Sequence, residues 1–134
     1  MCKNEKIQFI DKIVSLFEKF CPSMSSSVLY WVACQFALES NFGRSQRAVM
    51  NHNLCGMKIP AVRPSLNTAV TGVFSKFDSD EDCVIDYVYL LCYNKFNPFQ
   101  LTDLDLFRLK LKACKYCPDD DYLDKVNSLF NQFS

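Results

Sequence analysis

Residues 28–38 read Val-Leu-Tyr-Trp-Val-Ala-Cys-Gln-Phe-Ala-Leu, and no other run constrains the fold as much. Ser25 to Ser27 offer an N-cap before it and Gly43 a turn beyond it, which predicts a helix over about 27–40. Its apolar residues (Val28, Leu29, Trp31, Val32, Ala33, Phe36, Ala37, Leu38) fall on nearly every side of that helix. A helix without a polar face has to be surrounded by other elements, so the run predicts a bundle with this helix at its centre. Glu39 emerges from its C-terminal end.

The rest of the chain supplies the surrounding layer. Ile7, Ile10, Ile13, Val14, Phe17 and Phe20 recur at three- and four-residue steps and predict an amphipathic helix over 5–20, ended by Cys21-Pro22. Residues 45–51 suit a short helical turn. Asp78 and Glu81 have capping-box spacing before a helix of about 80–93, with Val84, Ile85, Val88, Leu91 and Cys92 inward. Thr102 and Asp105 cap a helix over 103–114, and Asp119 to Asp121 lead another over about 120–132. Between Gly56 and Phe77 the texture changes: Pro60, Pro64 and Gly72 interrupt, and the stretch from Thr68 to Phe74 is rich in β-branched residues. That segment predicts a loop with a small hairpin, and so long a non-helical stretch in a compact domain points to a functional lobe. The expected fold is mainly α, a single domain over 1–134 with five or six helices and a short β-lobe or loop beside a cleft.

Formal net charge is zero, which removes the basic field that nucleic acid or an anionic membrane would require. No run is long enough to insert in a membrane, and residues 1–25 lack the apolar core of a signal peptide. The eight cysteines would suggest four disulfides in a secreted chain. Their positions inside apolar helical stretches (Cys34, Cys83, Cys92) argue instead for free thiols filling space in a reducing compartment. The expected localisation is therefore cytoplasmic. Cys114-Lys-Tyr-Cys117 lacks both the βαβ context of a redox motif and the second ligand pair of a zinc site, so neither a metal nor a cofactor is expected.

Glu39 is where chemistry concentrates. Glu39-Ser40-Asn41-Phe42-Gly43 places a carboxyl at the point where an apolar helix stops at an aromatic residue and a glycine. A carboxylic acid donates a proton near neutral pH only if burial raises its pKa, and Leu38, Phe42 and the rings of Phe36 and Trp31 are at hand.

This segment and Asn51-His52-Asn53-Leu54-Cys55-Gly56-Met57-Lys58, in this order and spacing, resemble the signature of the peptidoglycan endo-β-N-acetylglucosaminidases of the lysozyme-like superfamily. Phe74 to Ser79 followed by Asp82 to Tyr87 is similar to the family's aromatic strand end and following helix. Ala113 to Asp119 with Tyr122 and Asp124-Lys125-Val126 is similar to its C-terminal tyrosine element. The resemblance implies hydrolysis of β-1,4 bonds in peptidoglycan glycan strands, with Glu39 as general acid and Tyr116 as its catalytic partner across the cleft. It also implies substrate contacts from Gln35, Phe42, Asn53 and Phe77, the rings stacking on sugar faces. Met57-Lys58-x-Pro60-x-x-Arg63-Pro64 resembles lobes in forms from Bacteroidetes and their phages. The expected setting is a phage lysin held in the cytoplasm until release, or a protein carried in the virion with other virion proteins as partners.

One departure from the family pattern matters for mechanism. Residues 40–77 contain no Asp or Glu, while the lobe carries Lys58, Arg63 and Lys76, so the usual second acid is missing. Three readings stay open: attack by the substrate's own N-acetyl group, lytic transglycosylation or muramidase action, and a non-catalytic wall-binding or virion structural protein. With zero net charge, affinity for an anionic wall has to come from the cleft.

Overall fold

The structure is a computed structural model, and it describes residues 1–58, 60, 63–94, 96–97, 101–113 and 120–133. Among the described residues six helices and one hairpin follow in chain order: α1 (Lys3–Phe20), α2 (Ser26–Ser40), α3 (Gln46–Asn51), β1 (Ala69–Thr71), β2 (Phe74–Lys76), α4 (Asp80–Tyr93), α5 (Leu104–Ala113) and α6 (Asp120–Phe133). The expected mainly helical domain with a short β-lobe is what forms. Cys114, Tyr116 and Cys117 lie outside the described residues.

α2 is the axis of the bundle. From Val28 to Ala37 every residue but Tyr30 is buried, and α1, α5 and α6 pack against it. Edge-to-face ring pairs join the layers: Phe36 meets Phe17 at 5.5 Å and Tyr87 at 5.3 Å, and Trp31 meets Phe107 at 5.9 Å. Trp31 Nε1 donates to Asn127 Oδ1 at 2.8 Å, so its one polar atom is satisfied on α6. Ser25 caps the helix by accepting from the Val28 N–H at 3.4 Å.

Several sequence expectations are corrected by packing. In α1 the inward stripe is Phe9, Ile10, Ile13, Val14 and Phe17, while Ile7 is exposed. The N-cap of α4 is Ser79, which accepts from Asp82 N–H at 3.1 Å, and not Asp78. Asp103, not Thr102, accepts from Leu106 N–H at 3.0 Å at the head of α5. Cys92 is exposed, whereas Cys21, Cys34, Cys55 and Cys83 are buried free thiols.

Two devices place the β-lobe beside the bundle. Asn53 is a buried clamp: its amide donates to Met57 O at 2.8 Å and Ser75 O at 2.9 Å, and accepts from Met57 N–H at 2.8 Å. The second is an ion pair with both side chains out of water. Arg63 Nη2 lies 2.9 Å from Asp86 Oδ2, and Asp86 Oδ1 also accepts from Leu66 N–H at 3.0 Å. The hairpin β1–β2 closes through a two-residue turn, Gly72-Val73, with Gly72 at φ +63°, the positive φ that such turns demand.

Candidate active site

α2 ends abruptly. Asn41, Phe42 and Gly43 all have positive φ, at 49°, 56° and 80°, and Ser40 Oγ donates to Phe36 O at 2.6 Å while accepting from Gly43 N–H at 2.9 Å. The break leaves Glu39 in the last turn, half-buried, with the chain turning away beneath it. Its carboxyl reaches the loop after α3, where Gly56 takes φ +68°. A Cβ at Gly56 would stand 2.7 Å from Glu39 Oε2, so only glycine lets the backbone approach this closely.

Burial pushes the Glu39 pKa above its ordinary value of 4.5, against the opposing pull of a hydrogen bond with Tyr122 and the charges of Arg47 and Lys58. A helix C-terminus is also an unfavourable place for a negative charge, which acts in the same direction as burial. The result is a carboxyl that holds its proton longer than an exposed glutamate and presents it to a cleft.

The cleft is a recess of about 710 Å³ between the bundle and the β-lobe, with Leu38, Glu39, Gly56, Lys58, Tyr122 and Lys125 among its lining. A second recess of about 650 Å³ continues on the other side of Arg47 and Phe74, and Glu39 lines it too. The Arg47 guanidinium stacks on the Phe74 ring, 3.4 Å from its centroid, forming a ridge common to both. Glu39, like Arg47 and Phe74, therefore lines both recesses.

Behind Glu39 runs a chain of hydrogen bonds into the core. Tyr87 OH donates to Gln35 Oε1 at 2.6 Å, Gln35 Nε2 donates to Tyr122 OH at 3.4 Å, and Tyr122 bonds Glu39. This moves Gln35 from the expected substrate contacts to a supporting role: it is buried, and it positions the tyrosine that positions the acid. Phe77 is also corrected, since it has no exposed surface and belongs to the core. Asn53 is consumed by the lobe clamp. Phe42 turns to the far face, where its ring meets Phe9 and Phe133, each at 6.1 Å, and helps line a separate recess of about 280 Å³. His52 is on that face as well, its Nδ1 2.8 Å from Asp80 Oδ1.

Residues that sequence reading did not assign to the groove are Arg47, Gly56, Tyr122 and Lys125. Tyr122 and Lys125 stood inside the C-terminal element already noted, and their three-residue spacing puts them on one face of α6. Arg47 carried no signal, because its stacking on Phe74 depends on a contact 27 residues away in the chain. Among the described residues lining either recess, Glu39 is the sole carboxylate. Among the described residues no group of His, Cys, Asp and Glu side chains is placed to hold a metal ion.

The helical bundle with a β-lobe beside one half-buried glutamate is a lysozyme-like fold. The model of the Glucosaminidase family, described as mannosyl-glycoprotein endo-beta-N-acetylglucosaminidase, matches residues 28–134, and the chain belongs to that family. Solved structures share the fold. A chain of a type VI secretion system effector–immunity complex from Pseudomonas protegens aligns with TM-score 0.71 at 15% identity, over 98% of this chain and 95% of that one. The catalytic domain of the autolysin Auto from Listeria monocytogenes aligns with TM-score 0.69 at 22% identity, over 99% of this chain and 86% of that one. No curated protein matches the sequence.

Proposed function

We propose that the chain cleaves β-1,4 glycosidic bonds in peptidoglycan strands on the reducing side of N-acetylglucosamine, with Glu39 as the general acid. The observation that carries this is one carboxyl, raised in pKa by burial, that lines two adjacent recesses and is the sole carboxylate among their described lining. Glu39 gives its proton to the glycosidic oxygen as the bond to C1 breaks, and the resulting carboxylate then accepts a proton from the attacking water. Because no second carboxylate lines the groove among the described residues, the nucleophile is the substrate's own 2-acetamido oxygen. It bonds to C1 as the leaving oxygen departs, and water opens the oxazolinium ring with configuration retained. Tyr122 holds the acid in place. Tyr116 remains in the proposal as a stabiliser of the charged intermediate, on the strength of the family resemblance.

A single acid also suits lytic transglycosylation, in which the muramoyl 6-hydroxyl attacks and an anhydro end forms. The two readings separate by product. Purified peptidoglycan is digested with the protein and with Glu39→Gln, and the fragment ends are identified by mass spectrometry. Reducing N-acetylglucosamine ends that vanish in the variant support the proposal; muramic or anhydromuramic ends move the cut to the other bond. A high-mannose glycopeptide serves as the substrate named in the family description. No release from any of these leaves a groove without chemistry.

The setting we propose is a phage lysin or virion-associated protein, kept cytoplasmic until it reaches the wall. The buried free thiols suit a reducing compartment. Retention of activity by protein purified and assayed with its thiols reduced, and loss on oxidation, would support it.

A further inference from the structure

The charges of this protein balance, 15 basic against 15 acidic, yet they are not evenly spread. Among the described residues, four cations line the main recess, Arg47, Lys58, Arg63 and Lys125, against one acid, Glu39. Arg63 is neutralised by Asp86 and is buried with it. Arg47 is committed to the face of Phe74. That leaves two ammonium groups able to reach a ligand. Lys58 stands on the lobe side, its backbone bridged to Phe74 and its side chain exposed without an ion pair among the described residues. Lys125 stands on the α6 side, one turn beyond Tyr122, with a loose exposed pair to Asp121 at 3.4 Å that contributes little.

We infer that the cleft selects glycan strands by their carboxylates, read by Lys58 from the lobe and Lys125 from α6. This rests on the peptidoglycan reading above and adds what discriminates that strand from a neutral N-acetylglucosamine polymer with the same β-1,4 backbone. A neutral sugar chain offers two exposed ammonium groups nothing to neutralise them. A peptidoglycan strand offers carboxylates from two sources, the lactyl ether of muramic acid where the stem peptide has been removed and the stem peptide itself where it remains. With Arg63 neutralised by Asp86, three cations (Arg47, Lys58 and Lys125) face the one carboxyl of Glu39 among the described lining. The recess is therefore net positive even with Glu39 ionised, and an anion entering it is attracted rather than repelled.

The test is binding to Glu39→Gln, followed by calorimetry, so that it is independent of turnover. The probes are strands stripped of stems by an amidase, strands bearing stems, and both after carbodiimide coupling to ammonia, which converts carboxylates to neutral amides on an unchanged backbone. Each exposed charge pair is worth about threefold in affinity, so the charged strands should bind about tenfold more tightly than their amidated counterparts. The gap should narrow as salt is raised from 50 to 500 mM. Adding Lys58→Gln or Lys125→Gln should reduce it about threefold each, Lys58→Arg should preserve it, and Lys76→Gln on β2, outside the cleft, should leave it intact. A gap confined to stripped strands assigns the lactyl group as the source, and one confined to stem-bearing strands assigns the stem. Equal affinity for charged and amidated strands, or a gap insensitive to both lysine variants, overturns the inference. Wild-type protein that cuts charged and amidated strands alike leaves the glycosidase proposal standing and removes this one. Charge-selective binding with no cleavage does the reverse.

Discussion

Gly56→Ala separates what the fold needs from what the acid needs. At φ +68° an alanine is strained by its own backbone, a cost of about 1–2 kcal/mol in the left-handed region. The new Cβ would also stand 2.7 Å from Glu39 Oε2 and 3.4 Å from its Cδ. A carboxyl at the tip of a flexible side chain escapes by swinging several tenths of an ångström, so this contact adds little to the loss of stability. The same swing displaces the carboxyl we propose as proton donor and loosens its bond to Tyr122, and misplacement on the scale of 1 Å costs about 100-fold in rate. Gly72→Ala is the matched control, because Gly72 has φ +63° and nothing lies within 4 Å of the point its methyl would occupy. Both variants should lose roughly 3–8 °C in Tm by scanning fluorimetry. Release of reducing ends from peptidoglycan should fall roughly 10- to 100-fold for Gly56→Ala and less than about twofold for Gly72→Ala. Equal activities for the two variants at equal stability would show that the close approach of Gly56 to the acid has no catalytic consequence.

Glu39→Gln should remove activity and stabilise the fold. The folded-state pKa of Glu39 lies above its ordinary value of 4.5, so its contribution is fully present below that pH and is lost as pH rises through the folded pKa. The Tm advantage of Gln should therefore be near zero at pH 4 and grow to roughly 1–3 °C at pH 8. Tyr122→Phe removes the hydrogen bond that pulls the acid's pKa down, so the alkaline limb of the rate profile should move up while kcat falls about tenfold, measured on the same strands. Asp86→Asn leaves Arg63 charged and buried, and urea melts should show a loss of about 3–5 kcal/mol. Of the described thiols, exposed Cys2 and Cys92 should react with Ellman's reagent within the dead time. Cys34, pushed up to about 12 by burial, should react only on unfolding, as followed by absorbance at pH 8.

How much of the candidate site could be read in advance depends on how local its determinants are. The role of Glu39 as an acid was implied only by the family resemblance, while its place at the end of α2 was legible because an apolar helix and an abrupt stop are both written within a few residues of it. The absence of an acid between residues 40 and 77 was legible for the same reason, and the groove contains no second carboxylate among its described lining. The expected ligand contacts fared differently. Phe42, Phe77, Asn53 and Gln35 are near the acid in sequence or pattern, but a ring can turn to either face of a turn. Phe42 follows the positive-φ break away from the cleft, and Phe77 is drawn into the core.

The helices and the central place of α2 were legible from apolar patterning together with caps and breakers, because an apolar stripe or an all-apolar run admits few arrangements in water. The lobe's position was not, since it hangs on Asn53, whose partners include Ser75, and on the pairing of Arg63 with Asp86. Those bonds join residues 22 and 23 positions apart, and nothing short of the folded chain selects them. Tertiary structure likewise chose Tyr122 as the acid's partner, raised the pKa of Glu39 by removing water around it, and gathered Lys58 and Lys125 into one recess of a chain with no net charge. A sequence specifies which charges exist and which faces are apolar. Where solvent is excluded, and therefore how strongly each charge acts, is decided only when distant segments meet.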